Sequence, residues 1–355
     1  MKVRPAAECG ATRIGHHGQV SRAVRVRSCD NPQQLTPDGP LATSDTGPDD
    51  GARDHRPHSN AFRVKTPNRR RAEAVGWSRP PGTSSARKFL LSGRDYPTAR
   101  DDGPVDDLYD DFEGSGLDLS VWLPHYLPAW SSREATRASY RVADSFLTLE
   151  IPTGQGTWCP GDHEPPLRVS GLQTGSFSGP VGSTLGQQPF RDGQVVREEQ
   201  PRFEGHLQAG GHVAIRCRMA LSPRSMASLW MVGFEDRPER CGEICVVEVF
   251  GKDLEPGRSA EVGMGFKPFR DPDLAHDFAA PRRQVDVADW HTYAVDWDAA
   301  EAVFTLDGAE VRRCPRPPAY PLQLMLAVFD FPAWSTGDDD HLVPALVVDR
   351  IRAVP

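Results

Sequence analysis

The sequence predicts an all-β protein, and three observations point to this fold class. Gly and Pro account for 32 and 33 of the 355 residues, and both are poor inside helices, which excludes a mostly helical protein. Short apolar runs recur between turn residues from residue 107 onward, whereas amphipathic segments with a helical period are nearly absent. Many short strands joined by turns rich in Gly and Pro are typical of a β-sandwich or a β-barrel.

The first part of the chain, residues 1–106, is predicted to be a disordered tail rich in Pro and Gly. Residues 1–104 are basic, with 18 Lys/Arg against 11 Asp/Glu, whereas residues 105–355 carry 23 against 38. The apolar residues of the tail follow neither a strand nor a helix period, so they cannot bury enough surface to offset the entropy lost on ordering. The basic run Asn68–Arg71 is interpreted as solvated, and a nucleic-acid contact by the tail is not expected.

The sequence supports only default expectations for localisation and oligomeric state. No apolar run approaches roughly 18 residues, so no membrane span is predicted. No charged-then-apolar segment with a small-residue cleavage site opens the chain, so a cytoplasmic location is the default unless the N-terminus is mis-assigned. A monomer is expected.

The seven cysteines do not predict a disulfide framework in a chain of this size. Cys241 and Cys245 are the only close pair, and without a second pair or clustered histidines they are a weak zinc signal. On one extended strand they would lie about 13 Å apart, beyond the roughly 7 Å that a disulfide allows between Cα atoms. We therefore expect Cys245 to be a free thiol.

Residues 107–355 are predicted to form one β domain. Phe146–Ile151 and Val213–Met219 alternate apolar and polar residues, as half-buried strands do. Asp307-Gly308, between two strand-like runs, is a tight-hairpin signal. The other strand-like runs are Trp230–Phe234, Ile244–Phe250, Thr292–Trp297, Ala302–Leu306, Leu322–Phe329 and Leu346–Ile351. About 250 residues is an ordinary size for a single all-β domain.

The clearest chemical signal lies in Cys241–Gly251, CGEICVVEVFG. This segment places Glu243 and Glu248 in a strand that is otherwise apolar, although burying a carboxylate is costly. Because strand side chains alternate, residues five apart point to opposite faces of a regular strand. A β-bulge at Val246-Val247 would bring Glu243, Cys245 and Glu248 onto one face.

Glutamate suits the two outer positions of this row. Four strand steps span about 13 Å between Cα atoms, so only long side chains leaning inward bring two carboxyl groups to the roughly 5–5.5 Å used by retaining glycosidases. In the alternative interpretation, one glutamate forms a buried ion pair and the other lies on the surface. The spacing alone leaves both interpretations open.

This strand resembles the catalytic signature of glycoside hydrolase family 16, E-[hydrophobic]-D-x-x-E in its bulged form. Other segments of residues 107–355 resemble further motifs of the family, in the same order. They are Asp110–Gly114 followed by Val121-Trp122, Gly211–Met219 with Trp230, Asp289–Trp297 with the Asp307-Gly308 hairpin, and Val347–Val354. The resemblance implies a two-sheet antiparallel jelly-roll sandwich whose concave sheet holds a β-glucan or related polysaccharide in a cleft.

The resemblance also implies catalytic roles. Glu243 would be the nucleophile that forms a glycosyl-enzyme, and Glu248 would be the acid/base. The family's central Asp, which helps to hold the two carboxyls in different protonation states, is Cys245 here. A thiol is a weak hydrogen-bonding group and is usually neutral at pH 7. Met325 stands where a polar residue is common in the family, and the Trp often found shortly before the signature is missing from Asp236–Arg240.

Sugars bind to aromatic faces and to polar groups around them. The candidate substrate-binding residues are therefore Trp230, Trp290, His291, Trp334 and Gln173, although each Trp would serve equally well as core. The resemblance requires no cofactor. Some family members bind a structural calcium, and Asp349 on the closing strand is the candidate ligand.

Three functions from different classes follow. The first is a retaining endo-glycosidase acting on β-1,3- or β-1,3/1,4-glucan, with polysaccharide as its partner. The second is a catalytically impaired sandwich that binds carbohydrate, motivated by Cys245. The third is a structural or regulatory protein with a basic tail, since fold alone does not fix function. The paired glutamates favour the first over the third, because a scaffold has no need of two carboxylates on an apolar strand.

Overall fold

The computed structural model describes residues 107–355, and the predicted disordered tail, residues 1–106, lies outside these residues. The strands are β1 (Leu108–Asp110), β2 (Tyr140–Ala143), β3 (Phe146–Glu150), β4 (Arg168–Gln173), β5 (Gly175–Ser176), β6 (Phe203–Glu204), β7 (Leu207–Gln208), β8 (Gly211–Ala220), β9 (Ser225–Gly233), β10 (Glu243–Phe250), β11 (Leu254–Glu255), β12 (Ser259–Glu261), β13 (Gly263–Lys267), β14 (Asp277–Ala279), β15 (Arg282–Arg283), β16 (His291–Trp297), β17 (Glu301–Leu306), β18 (Ala309–Pro315), β19 (Leu322–Asp330) and β20 (Ala345–Val354). Short 3₁₀ turns span Pro128–Trp130, Gly251–Asp253 and Pro332–Trp334.

The predicted all-β class is confirmed. Two large antiparallel sheets carry the fold. One sheet has eight strands in the order β18-β17-β16-β8-β20-β3-β2, with β1 also paired to β20. The other has seven strands in the order β14-β13-β10-β9-β19-β4, with β7 also paired to β19. Within residues 107–355, no helix is long and apolar enough to cross a membrane.

The main core lies between these two sheets, because each contributes one apolar face. In β8, the buried residues Val213, Ile215, Cys217 and Met219 alternate with more exposed ones, as the sequence predicts. The facing sheet contributes apolar side chains from its central strands, which include Ala227, Leu229, Met231, Ile244, Val246, Val247, Val249, Leu324, Leu326 and Val328. Packing of two apolar faces makes the domain a β-sandwich.

A second apolar cluster, here called the loop-side cluster, covers part of the opposite face of the seven-stranded sheet. Its members are Tyr126, Leu127, Ala129, Trp130, Trp158, Cys159, Leu167, Val169, Phe190, Val196, Met226, Trp230, Val232, Met325, Ala327, Phe329 and Phe331. As a result, every residue of β9 and of β19 is buried. The loops that precede β4 and follow β5 are therefore packed onto the sheet rather than hanging free over it.

The Asp307-Gly308 hairpin is confirmed between β17 and β18. Leu306 pairs with Ala309, which leaves these two residues as the turn. Asp307 has φ of 51° and Gly308 has φ of 80°. A two-residue hairpin of this kind needs positive φ at both central positions, and Asp and Gly are among the residues that tolerate it.

A buried ion-pair cluster ties the end of β19 to two neighbouring segments. Asp330 contacts Arg168 of β4, with Oδ2 at 2.6 Å from a guanidinium nitrogen. The same carboxylate contacts Arg224, just before β9, with Oδ1 at 2.6 Å from Nε. All three side chains are almost fully buried. Charges this deep are tolerated because each is paired and hydrogen-bonded.

Candidate active site

The predicted β-bulge is confirmed in β10. Cys245 pairs with Trp230 of β9, but the next β9 residue, Leu229, pairs with Val247, so Val246 is an extra residue. The register against β13 shifts between Cys245 and Glu248 as well. Both valines join the core between the sheets. This extra residue shifts the alternation of side chains by one position. Glu243, Cys245 and Glu248 therefore share the face opposite the core, here called the site face.

The two glutamates are nearly buried, each with 5% of its surface exposed, and Cys245 is fully buried between them. Cys245 is a free thiol, as predicted, and so is Cys241. The Cys245 Sγ lies 3.8 Å from the carbonyl oxygen of Gly263, a contact to backbone on β13. Its hydrogen bond is thus directed to the neighbouring strand.

A lysine that the sequence analysis did not single out completes the site. Lys267 of β13 is 1% exposed, and its Nζ lies 2.9 Å from Glu248 Oε2 and 3.5 Å from Glu243 Oε1. Both carboxylates therefore contact the same ammonium. The Lys267 Nζ also lies 4.5 Å from the ring centre of Phe278 on β14, within the range of a cation–π contact.

Burial and charge set the protonation of the group. Burial raises the pKa of Glu243 to about 7, with Lys267 opposing the rise and Glu248 adding to it. Burial, reinforced by Glu248, raises the pKa of Cys245 well above its ordinary value, so the thiol is neutral. Burial alone would lower the pKa of Lys267, but the two glutamates outweigh it and raise that pKa. Lys267 is thus a fixed positive charge across the physiological pH range.

The shared contact limits the distance between the carboxylates. Because Glu243 Oε1 and Glu248 Oε2 lie 3.5 and 2.9 Å from one nitrogen, they are at most about 6.4 Å apart. Inverting glycosidases separate their carboxyl groups by roughly 6.5–9.5 Å to admit a water molecule, and retaining ones by roughly 5–5.5 Å. The geometry fits a carboxylate pair that can flank one bond directly.

Trp230 lies on the site face beside the carboxylates. It pairs directly with Cys245 on one side and with Met325 of β19 on the other. Trp230 is 5% exposed. Its ring lies beside those of Tyr126 and Phe329, at centroid distances of 6.4 and 6.0 Å. Its Nε1 has no hydrogen-bond partner among residues 107–355. A buried indole N–H usually finds a partner, so this donor is unsatisfied within the described residues.

Trp334 belongs to an aromatic group at the Glu248 end of β10. Phe250 follows Glu248 by two residues and so lies on the same face. Trp334 stacks on Phe331 at 4.3 Å and lies 6.0 Å from Phe250. The Lys252 ammonium is 4.7 Å from the Trp334 ring centre. Phe250 and Trp334 are partly exposed, so this group offers an apolar surface next to the carboxylates.

Trp290 and His291 are not brought to the carboxylates, and this corrects their assignment to the substrate site. His291 begins β16, in the eight-stranded sheet, and Trp290 precedes it. Trp290 stacks on Phe146 at 5.2 Å. His291 lies 2.7 Å from the Asp307 carboxylate through Nδ1 and 3.0 Å from a backbone carbonyl through Nε2. Both residues therefore pack on the eight-stranded sheet, and His291 contacts its Asp307-Gly308 hairpin.

Gln173 lies on the site-face row, opposite Met325, but both ends of its amide are occupied. Its Oε1 accepts a hydrogen bond from the Leu127 backbone N–H at 3.0 Å, and its Nε2 donates to the Gly175 carbonyl at 2.6 Å. It is fully buried. These contacts make Gln173 a bridge between β4 and the adjoining loops rather than a residue open to a sugar.

A loop glutamine contacts Met325. The Gln188 Nε2 lies 2.9 Å from the Met325 Sδ, and the Gln188 backbone N–H donates to Glu235 Oε1 at 2.8 Å. No local sequence pattern announces this contact, because the two residues are 137 positions apart.

Asp349 does not fit the expected calcium site. Its carboxylate lies 2.9 Å from Arg216 and 3.1 Å from Arg350, so two guanidinium groups already neutralise it. Calcium requires several oxygen ligands and is repelled by cations. No group of three or more His, Cys, Asp or Glu side chains arranged to hold a metal occurs in the described part of the chain.

The carboxylate row lies within a segment of the chain that matches a protein-family model. Residues 207–343 match the model described as Glycosyl hydrolases family 16. These residues include both glutamates, Cys245 and Lys267. No curated protein sequence matches the chain.

Three bacterial glycosidases are among the solved structures to which the chain is similar. A GlcNAcα1-4Gal-releasing endo-β-galactosidase from Clostridium perfringens is 22% identical with a TM-score of 0.56; the match covers 73% of this chain and 65% of that one. An endo-1,3-β-glucanase (laminarinase) catalytic domain from Thermotoga petrophila RKU-1 is 15% identical over 70% and 97% of the two chains, with a TM-score of 0.48. A laminarinase from Flavobacterium sp. UMI-01 is 16% identical over 70% and 99%, with a TM-score of 0.47. The chain thus spans 65% of the length of the endo-β-galactosidase, and the likeness to that structure supports a shared fold only.

Proposed function

We propose that the chain, whose residues 207–343 match the model of Glycosyl hydrolases family 16, is a retaining endo-glycosidase acting on a β-linked polysaccharide. The observation that carries this proposal is the carboxylate pair on the site face. Glu243 and Glu248 contact one ammonium and lie at most about 6.4 Å apart. This upper bound accommodates the roughly 5–5.5 Å that separates the carboxyl groups of retaining enzymes.

The reaction is a double displacement. Glu243 attacks the anomeric carbon and forms a covalent glycosyl-enzyme, while Glu248 gives its proton to the departing glycosidic oxygen. Glu248 then takes a proton from water, whose oxygen displaces Glu243 from the anomeric carbon. The two inversions restore the β configuration and return both carboxyl groups to their starting states.

The surroundings support a carbohydrate as the ligand. Trp230 presents a buried N–H without a partner, and Trp334 with Phe250 presents a partly exposed apolar surface beside Glu248. Aromatic faces bind the apolar faces of sugars, and buried donors fix their orientation. From the motif resemblance, β-1,3-glucan and mixed-linkage β-1,3/1,4-glucan are the substrates of first choice.

The test is the release of reducing sugar from a panel of β-1,3-glucan, mixed-linkage glucan, galactan and xyloglucan. Wild type is compared with Glu243→Gln and Glu248→Gln, which keep the side-chain size and remove the carboxylate. Hydrolysis of at least one polymer by wild type, lost in both variants, supports the proposal. Equal product release by wild type and both variants contradicts it.

A second candidate function is carbohydrate binding without hydrolysis. It is favoured by one observation, the neutral Cys245 at the position of an assisting carboxylate. Affinity electrophoresis in gels that contain each polymer separates the two functions. Retardation by a polymer that wild type does not cleave supports binding alone, whereas cleavage of the retarding polymer supports the enzyme.

A further inference from the structure

We infer that Lys267 is a positioning residue of this site, whose ammonium contacts both glutamates and supplies the shared counter-charge that the neutral Cys245 cannot supply. The inference rests on the proposed function, because it assigns a role within the same carboxylate pair. It concerns a residue on a different strand from the signature, and no motif of the sequence analysis contains it.

The first argument is the path of the side chain. Lys267 is the Cα partner of Glu243, and Gly265 and Gly263 are the partners of Cys245 and Glu248. With no side chains at these two glycines, the lysine can extend along the row from the level of Glu243 to the carboxylate of Glu248. A Cβ at Gly263 would come within 3.2 Å of the Glu248 Cβ, so larger residues on β13 would crowd this path.

The second argument is charge. The groups that face Lys267 are Glu243, Cys245 and Glu248 from β10 and the Phe278 ring from β14. The adjoining strand β9 adds Ser228, whose hydroxyl donates to the Val247 carbonyl at 2.8 Å, and Trp230. Two buried carboxylates without a counter-charge would repel each other and lose hydration. Lys267 offsets both effects, whereas the neutral thiol offsets neither.

The consequence is a bias toward the ionised form of Glu243, the nucleophile of the proposed reaction. A cation within about 4–6 Å of a carboxyl group favours its charged form and lowers the pH at which it takes up a proton. The nucleophilic step needs Glu243 ionised, and burial opposes that form. Hydrolysis should therefore extend to lower pH than it would with a neutral residue at position 267.

The experiment is a titration of the glutamate side chains by carbon-13 NMR, with the Cδ resonances of Glu243 and Glu248 assigned through the two Gln variants. Wild type is compared with Lys267→Met, which removes the charge, and Lys267→Arg, which keeps it. Lys252→Met is the matched control, because it removes an equal charge whose ammonium packs over Phe250 and Trp334. We expect Lys267→Met to move the titration of Glu243 about one to three pH units upward. Lys267→Arg should restore most of the shift, and Lys252→Met should cause little.

A titration that is the same in wild type and in folded Lys267→Met overturns the inference. If Lys267→Met does not fold at pH 7, its circular dichroism is followed at pH 4, where protonated carboxyls need no counter-charge. Recovery of the fold at pH 4 supports the electrostatic role, and failure at both pH values contradicts it.

The outcome also separates this inference from the proposed function. A shifted titration in a protein that cleaves no polymer sustains the role of Lys267 and removes the enzyme. Cleavage of a polymer together with an unshifted titration supports the enzyme and contradicts the role of Lys267. If both hold, the low-pH limb of the rate profile moves upward in Lys267→Met together with the titration of Glu243.

Discussion

Lys267 stands directly opposite Glu243 in the antiparallel register, yet its ammonium lies closer to Glu248, at 2.9 Å against 3.5 Å. The ion pair is therefore diagonal and runs along the sheet rather than straight across it. Diagonal neighbours in a sheet are within reach of long side chains. One lysine can thus contact two glutamates that the bulge has placed on the same face.

Azide should rescue the two catalytic variants with opposite stereochemistry. In Glu243→Ala, the covalent route is removed, and azide attacks the anomeric carbon from the vacant side in a single displacement. The product is then the α-glycosyl azide, with inverted configuration. In Glu248→Ala, the glycosyl-enzyme still forms from an activated aryl glycoside, and azide displaces Glu243 to give the β product.

Proton NMR of the anomeric signal distinguishes the two products. Wild type with azide is the control and should give the free sugar. The same anomer from both variants would contradict the separate roles of Glu243 and Glu248.

Restoring a carboxylate at position 245 should raise the rate. Cys245→Asp adds a group that can hydrogen-bond the neighbouring carboxyls and hold them in different protonation states. We expect kcat to rise by about ten- to a hundredfold, toward the lower end of what positioned proton transfer contributes. The measurement is kcat on the best polymer of the panel, with Cys245→Ser as a control of similar size that brings no charge. A serine variant as fast as the aspartate variant would show that the carboxylate is not responsible.

Glu243 should make the stability of the domain depend on pH. Burial raises the pKa of Glu243 from 4.5 to about 7, so the folded protein holds this proton more tightly than the unfolded chain does. The free energy of unfolding therefore falls as pH rises from 4.5 to 7, by at most about 3 kcal/mol. Glu243→Gln cannot ionise, and we expect it to gain stability relative to wild type at pH 7.5 but not at pH 4.

Urea unfolding at the two pH values measures this difference. Glu113→Gln is the control, because Glu113 is exposed and should show no pH-dependent gain. An equal effect of Glu243→Gln at pH 4 and pH 7.5 would contradict the burial of an ionisable Glu243.

Removing the carboxylate of Asp330 should destabilise the domain by about 3 kcal/mol or more, because it leaves the buried guanidinium groups of Arg168 and Arg224 without their shared partner. The variant is Asp330→Asn, and the measurement is its free energy of urea unfolding. Glu150→Gln, which breaks the exposed contact with Arg141, should cost less than about 1 kcal/mol. Similar losses in the two variants would mean that the buried cluster stabilises no more than a surface pair.

The sequence predicted the fold class and the carboxylate row well, because both depend on local patterns. Alternating apolar residues mark half-buried strands, and an i, i+5 pair of glutamates in an apolar strand requires a bulge if both are to work together. The valines at positions 246 and 247 marked its location before the register was known. For the same reason, the positive-φ turn at Asp307-Gly308 was readable from two residues.

The residues that contact the carboxylate row could not be predicted from the sequence, because they depend on which strands become neighbours. Nothing local in GMGFKPF marks Lys267 as a buried residue, and its partners are 19 and 24 positions away. Trp290 and His291 resembled site residues, but their strand joins the other sheet. Gln173 reached the predicted row, yet its amide is used by loop backbone that comes from distant parts of the sequence.

The extra residue in β10 determines how the strand tolerates deletion or insertion of one residue. Loss of the codon for Val246 would leave five residues from Glu243 to Glu248 in regular alternation, and the two glutamates would still share a face. Such a deletion removes one apolar side chain from the core and leaves the chemistry of the row in place. Insertion of a codon at the same point has no such tolerance, since a second unpaired residue would need still more room between β9 and β13. Strand β10 can therefore lose one residue at the bulge more easily than it can gain one.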